Sequence, residues 1–486
     1  MIPILGFTPD ADATTPGVIT DCVNFIPYKN GMEAAPSAIE ANGVSALADE
    51  CIGAAVLAKL DDTKRVFAGT ADKLYELVSG SWEDVTRASG GDYTGGADTN
   101  WSFAQFGDAS LASNKSDEMQ RATTGDFADI AGAPKANIIF SVGAFVMALD
   151  VDDGTDKPNG WHCSATFDET DWTESITTQS ASGTLVSTPG RITAGARLGD
   201  YAVAYKTKSI YLGQYVGPPV IWDWQLIPGG EAGCVGKDAI ADLGGVHFFV
   251  GDDNFWLFDG TRPQPIGDDK VRQWFLDNSS QSFRYKTKCF FDRQNNRVWV
   301  FFPSTSSAGA CDRAIVYHVL SKQWGRADRV IEAVVNYASA GISYDTLDDA
   351  GASYDELPNL SYDSQYWISG GQGVAIFDAS HQLQMLEGSP GETSFSTGDA
   401  GDDSTVTHLD YAQLRFATGV SPASVSMQAF SKMVAGDAYT TGAASTLSDG
   451  KFFTRQEARW HKATFTFNGS VKVTGIMPKL IPSGDR

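Results

Sequence analysis

The chain has 486 residues, 42% hydrophobic, 11% aromatic and 20% charged. That composition supplies a buried core and excludes a disordered or fibrous polymer. Sixty acids against 36 bases leave a net charge of −24, which repels nucleic acid and anionic membrane and argues against broad binding through phosphate contacts.

Residues 1–49 carry Pro3, Pro9, Pro16, Pro27 and Pro36 with little periodicity, the pattern of an extended arm that packs on something else. The opening MIPILGFTPDAD has no basic segment and a very short apolar stretch, so no signal peptide is expected. The most apolar run, Ala136 to Val151, is too short for a membrane span.

From residue 50 to 330 the chain repeats one motif: a short aromatic or β-branched run, a Gly/Asp/Asn turn, and a second such run. Val246-His-Phe-Phe-Val, Gly-Asp-Asp-Asn, Phe255-Trp-Leu-Phe is one example, and Lys288–Phe291 followed by Val298–Phe302 is another. These are hairpin signals, and the protein reads as all-β. Trp82, Phe127 and Trp172 each follow a turn and lie 45 residues apart. Farther on come Ile192–Leu198, Tyr201–Tyr205, Ser209–Gln214 and Ile221–Ile227, then Gly236–Leu243, Val246–Val250, Phe255–Phe258 and Arg262–Ile266. Four strands per 45 residues predict propeller blades, about six over residues 50–330. Trp367–Gly388 reads as either a seventh blade or part of a separate domain. Two stacked β-sandwiches with accidental spacing are the competing architecture.

Residues 331–403 form an acidic linker or insert with extra strands, marked by Ser343-Tyr-Asp, Ser353-Tyr-Asp and Ser361-Tyr-Asp. Between Val330 and Leu414 there are 14 acids and no Lys or Arg. Residues 404–486 read as a C-terminal β domain. From Arg415 to Arg486 the balance reverses, with nine bases against four acids.

Chemistry-bearing motifs are sparse. Cys22, Cys51, Cys163, Cys234, Cys289 and Cys311 form no CxxC and read as separate buried thiols. The six histidines show no zinc pattern. The acid-rich Asp150–Asp156 stretch breaks the calcium-loop spacing and reads as a solvated hairpin turn. No nucleophile elbow, phosphate loop or dinucleotide fingerprint occurs. Ser164–Trp172 lacks the spacing of a sialidase-type Asp-box. The expectation is a non-enzyme without cofactor, metal or catalytic residues.

Several stretches resemble one family. Gly6-Phe-Thr-Pro-Asp10, Pro16–Asp21, Asn24-Phe-Ile-Pro27, Gly80–Arg87 and Trp101–Asp108 are similar to tail proteins of short-tailed bacteriophages, the tail-nozzle or packaged-DNA stabilisation proteins. So are Phe248–Gly260, Pro265-Ile-Gly267, the Ser-Tyr-Asp repeats to Trp367, and Ala458-Arg-Trp-His-Lys. The likeness runs along nearly the whole chain and rests on the order of short motifs. It implies a structural virion protein, assembled in the host cytoplasm, that forms a generally hexameric ring below the portal and adaptor rings. Tail fibres or spikes and the tail tip or needle are the further partners implied. Duplex DNA would pass through the ring without specific binding. A lining of negative potential would keep that duplex mobile, and Asp345, Asp348, Asp349, Asp355, Glu356 and Asp363 are the candidate channel-facing acids. A receptor- or glycan-binding tail-tip propeller and a carbohydrate-degrading propeller are the alternative functions.

Overall fold

The computed structural model describes all residues except 97, 230, 339–371, 418–421, 423 and 486, and the side chains of 484 and 485. The Ser-Tyr-Asp repeats and the six candidate channel acids lie outside the described residues.

Each blade is an antiparallel meander, and the turns explain why the chain reverses where it does. In blade one, Lys64–Gly69, Leu74–Val78 and Ser81–Asp84 follow Gly53–Ala58. Ser79 and Gly80 both adopt positive φ, +49° and +83°, between the last two strands; two such residues make the tight turn whose twist matches paired strands. Blade two runs from Ser102–Phe106 to Ala128–Asp129, blade three from Lys135–Val142 to Ala181–Thr184, and blade four from Ile192–Leu198 to Ile221–Leu226. Blade five runs from Ile240–Asp242 to Gln264–Pro265, and blade six from Lys288–Asp292 to Gln323–Ala327. The expected six four-stranded units over residues 50–330 are thus all present.

Of the Trp367–Gly388 stretch, 367–371 lie outside the described residues, and 372–388 join the ring as a seventh blade. Ala333–Ala338, Gln372–Phe377 and Leu383–Gly388 form a further sheet, completed by Ser37–Glu40 from the start of the chain, with Ile39 opposite Met385. Six blades are separate four-stranded sheets, and blade six is continuous with a larger sheet. The first strands of successive blades touch in order, and Ala333–Ala338 returns to Gly53–Ala58, so the ring closes.

Trp82, Phe127 and Trp172 each pack toward the preceding blade. Trp82 sits with Phe377 of blade seven at 5.6 Å, Phe127 sits edge-on to Phe67 of blade one at 5.2 Å, and Trp172 joins the core between blades two and three. Their strand positions differ: Trp82 lies within a fourth strand, whereas the other two precede one. Phe127 and Trp172 are buried and Trp82 only partly so. Removing each buried ring from water contributes roughly 2–3 kcal/mol to holding adjacent blades together.

Residues 1–40 contribute six strands. Five enter a β-sandwich with the C-terminal strands, and the sixth is the closing strand of blade seven. One sandwich sheet pairs Gly6–Phe7 and Val18–Val23 with Glu392–Thr397, Trp460–Asn468, Ser424–Lys432 and Thr440–Thr446. The other joins Phe25–Tyr28 and Gly31–Ala34 to Lys472–Asp485, Thr405–Phe416 and Phe452–Ala458. This second sheet continues blade six, because Arg326 pairs with Phe25. Phe25 then stacks on Phe395 at 5.0 Å and 7° between ring planes, so the two sandwich sheets share one core with blades five and six.

Candidate axial site

In a propeller the leading ends of the innermost strands point to one end of the axis. Here those ends gather isolated polar residues from five blades: Asp98 and Asn100 before blade two, Asn137 in blade three, Arg191 before blade four, Lys237 before blade five, and Tyr285 and Lys286 before blade six. They line an open cavity of about 500 Å³ together with Thr193, Thr207 and Val235. A Cβ on Gly236 would lie 2.0 Å from the Tyr285 carbonyl oxygen, so only glycine lets blades five and six approach this closely.

Asp150 organises one wall. It sits at a register shift between Leu149 and Val151 and has φ +53°, a left-handed conformation that Asp tolerates better than most residues. Its carboxylate is fully buried and receives Lys115 Nζ at 2.6 Å, Arg191 Nη2 at 2.7 Å and Asn137 Nδ2 at 3.0 Å. The solvated-turn reading therefore applies to the rest of the loop, where Gly154 N–H donates to Asp152 and Lys157 pairs with Asp153. It does not apply to Asp150, which faces inward. A buried carboxylate is retained only with such partners.

Lys237 donates to the backbone oxygens of Asn100 and Asn137, the latter at 3.2 Å. Desolvation pushes its pKa down to about 8, against a smaller opposing pull from Asp238. Asp238 in turn receives Asn100 Nδ2 at 3.0 Å and lies 3.7 Å from Lys288 Nζ. Tyr285 donates its hydroxyl to Asp98 at 2.6 Å; desolvation first, then that carboxylate, raises the phenol to about 12. Asp98 is held below its usual range by the bonds from Tyr285 and Lys286. On the far side of the ring, Glu332 of blade seven accepts the Cys51 N–H at 2.9 Å and pairs with His381 at 2.7 Å, tying blade seven to blade one.

Among the described residues, no group of three or more His, Cys, Asp or Glu could hold a metal ion. The axial residues were not singled out from the sequence, apart from Asp150 within its acid-rich loop. They come in ones and twos at or near strand starts, and only the closure of the ring brings those of different blades together.

No protein-family model and no curated protein matches the chain. Among solved structures, YCF48 bound to D1 peptide matches over 62% of this chain and 86% of its own, at 13% identity and a TM-score of 0.35. PorZ, a surface component of the type-IX secretion system of Porphyromonas gingivalis, matches over 87% of this chain and 53% of its own, at 12% identity and a TM-score of 0.37. An exo-β-1,3-galactanase from Phanerochaete chrysosporium, with galactose, matches over 91% of this chain and all of its own, at 12% identity and a TM-score of 0.29. Likeness at this level carries no argument about activity.

Proposed function

We propose that the chain is a non-enzymatic structural subunit of a short-tailed phage virion, a tail-nozzle protein that closes into a ring around the path of the genome. The observation that carries this reading is the sandwich fused to the rim of the propeller through the continuous blade-six sheet. A ring needs two different surfaces on each subunit, one to meet each neighbour, and a rigid two-part body supplies them. Thr440–Thr446 and Phe452–Ala458 end their respective sheets, with Phe453, Leu447, Val434 and Met433 exposed along that margin. Open edges with apolar side chains are liabilities in an isolated monomer and contact surfaces in an assembly. The resemblance of the sequence to nozzle proteins supplies the remaining partners: portal and adaptor rings above, fibres or spikes and the tip below.

Electron microscopy of the purified chain, and of particles containing it, tests this. Closed rings with a central hole are expected. A monomer at all concentrations, together with a single asymmetric copy per particle, would overturn it.

A further inference from the structure

We propose that the axial cavity binds an acidic sugar, with its carboxylate on Arg191 and Lys237 and its hydroxyls on the surrounding amide, hydroxyl and carboxylate groups. The charge of the cavity is the first argument. Arg191, Lys237 and Lys286 face it, with Asp98 in the lining and Asp150 and Asp238 behind the first two, so three cations cluster at one place on a chain whose net charge is −24. Cations clustered on an otherwise acidic surface are the groups that attract an anion there.

The arrangement of donors narrows the anion. Asp150 holds one guanidinium nitrogen of Arg191 at 2.7 Å, while the side chain remains 56% exposed. A guanidinium braced on one side presents a fixed planar fork on the other, the geometry that matches a carboxylate. Lys237 is anchored by the Asn100 and Asn137 oxygens, so both cations are set in place before a ligand arrives. Such preorganisation lowers the entropic cost of binding.

The rest of the lining fits a polyol better than a bare anion. Asp98 is an acceptor that repels a dianion and receives hydroxyls, and Thr207 is exposed at the margin. Tyr285 presents an aromatic ring that is 43% exposed beside these groups, a surface for the C–H face of a sugar ring. A volume of about 500 Å³ lies within the usual range for small-ligand sites. This proposal does not depend on the ring assembly: it stands or falls on a binding measurement with the full chain, whatever its oligomeric state.

The test is calorimetric or NMR titration of the full chain with D-glucuronate and D-galacturonate, using glucose and inorganic phosphate as comparison probes. Millimolar or tighter binding of at least one uronate is expected, with glucose and phosphate each weaker by roughly tenfold or more. Arg191→Lys keeps the charge without the fork and should weaken uronate binding several-fold; Arg191→Ala should weaken it roughly tenfold or more. Far-UV circular dichroism establishes that both variants are folded. Tyr285→Ala should weaken the uronate and leave phosphate unchanged. No uronate binding, phosphate binding as tight as uronate, or an Arg191→Ala protein that binds like the wild type would each overturn the assignment.

Discussion

Asp150 of blade three and Arg191 at the start of blade four meet at 2.7 Å across the joint between two sheets. The contact is possible because the chain bulges at Asp150 and turns its carboxylate toward the axis instead of along the strand face. Lys115 of blade two reaches the same carboxylate, so one buried acid links three blades.

Replacing Asp150 by Asn should therefore do more than remove a surface charge. The amide cannot compensate Lys115 and Arg191 together, and the loss is expected to be about 2–4 kcal/mol. Lys115 retains Asp156 at 2.8 Å, which keeps the figure below that of a fully orphaned pair. Urea unfolding of wild type and variant measures it. A difference below about 0.5 kcal/mol would show that Asp150 does not tie the blades together.

Phe25 marks the joint between blade six and the sandwich. Its ring is fully buried and stacks on Phe395 and, at 6.3 Å, on Phe467. Phe25→Ala should destabilise the protein by about 3–5 kcal/mol, and Phe25→Leu by much less. Thermal unfolding of the two variants checks the order. Equal losses would mean that the stack is not what matters there.

Lys237 gives a pH signature with a definite sign. Its folded pKa of about 8 lies below the unfolded value of about 10.4. Between those values the unfolded chain binds more protons, so this group's contribution to stability rises with pH. Its cost is present in full below pH 8 and is relieved toward the unfolded value. Asp238, Lys288 and Asp150 act on it, with Arg191, Lys286 and Asp98 in the same cavity. The difference in stability between wild type and Lys237→Met should climb with pH from about 8 to about 10.4. A flat difference would place the amine in a wetter setting than the geometry indicates.

All six thiols are free, and burial pushes Cys51, Cys163, Cys234 and Cys311 up to about 12, with Cys22 and Cys289 also raised. The thiolate is the reacting species. The native protein should consume almost no thiol reagent on mixing, and the denatured chain six equivalents. Rapid labelling of any thiol in the native state would identify a locally open blade.

Much of the propeller was legible because its signal is local. The strands expected at Ile192–Leu198, Tyr201–Tyr205, Ser209–Gln214 and Ile221–Ile227 are found at Ile192–Leu198, Tyr201–Lys206, Ser209–Gly217 and Ile221–Leu226. Alternating side chains and Gly or Asp turns fix such hairpins within a few tens of residues. In the next unit the long run Gly236–Leu243 shrinks to Ile240–Asp242, because its first residues line the axis instead of pairing. The partners of the N-terminal strands were not legible. Ile39 meets Met385 and Val23 meets Ser394, pairings more than 300 residues apart that no periodicity encodes. The axial residues were hidden for the same reason, because the groups that complete the cavity come from five different blades.

The strand Ser37–Glu40 that completes blade seven also imposes a timetable. During synthesis it emerges long before Leu383–Gly388, its partner; Val18–Val23 and Gly31–Ala34 wait still longer for Glu392–Thr397 and Lys472–Asp485, while Phe25–Tyr28 meets blade six once Gln323–Ala327 is made. At about 10 residues per second that delay is on the order of half a minute. For that interval the ribosome carries a growing stack of blades whose ring cannot close, because the strand that completes the last blade has no partner. Resistance to proteolysis should therefore arrive abruptly near the end of translation, not blade by blade, and a ribosome stalled before residue 383 should hold a chain that is still open.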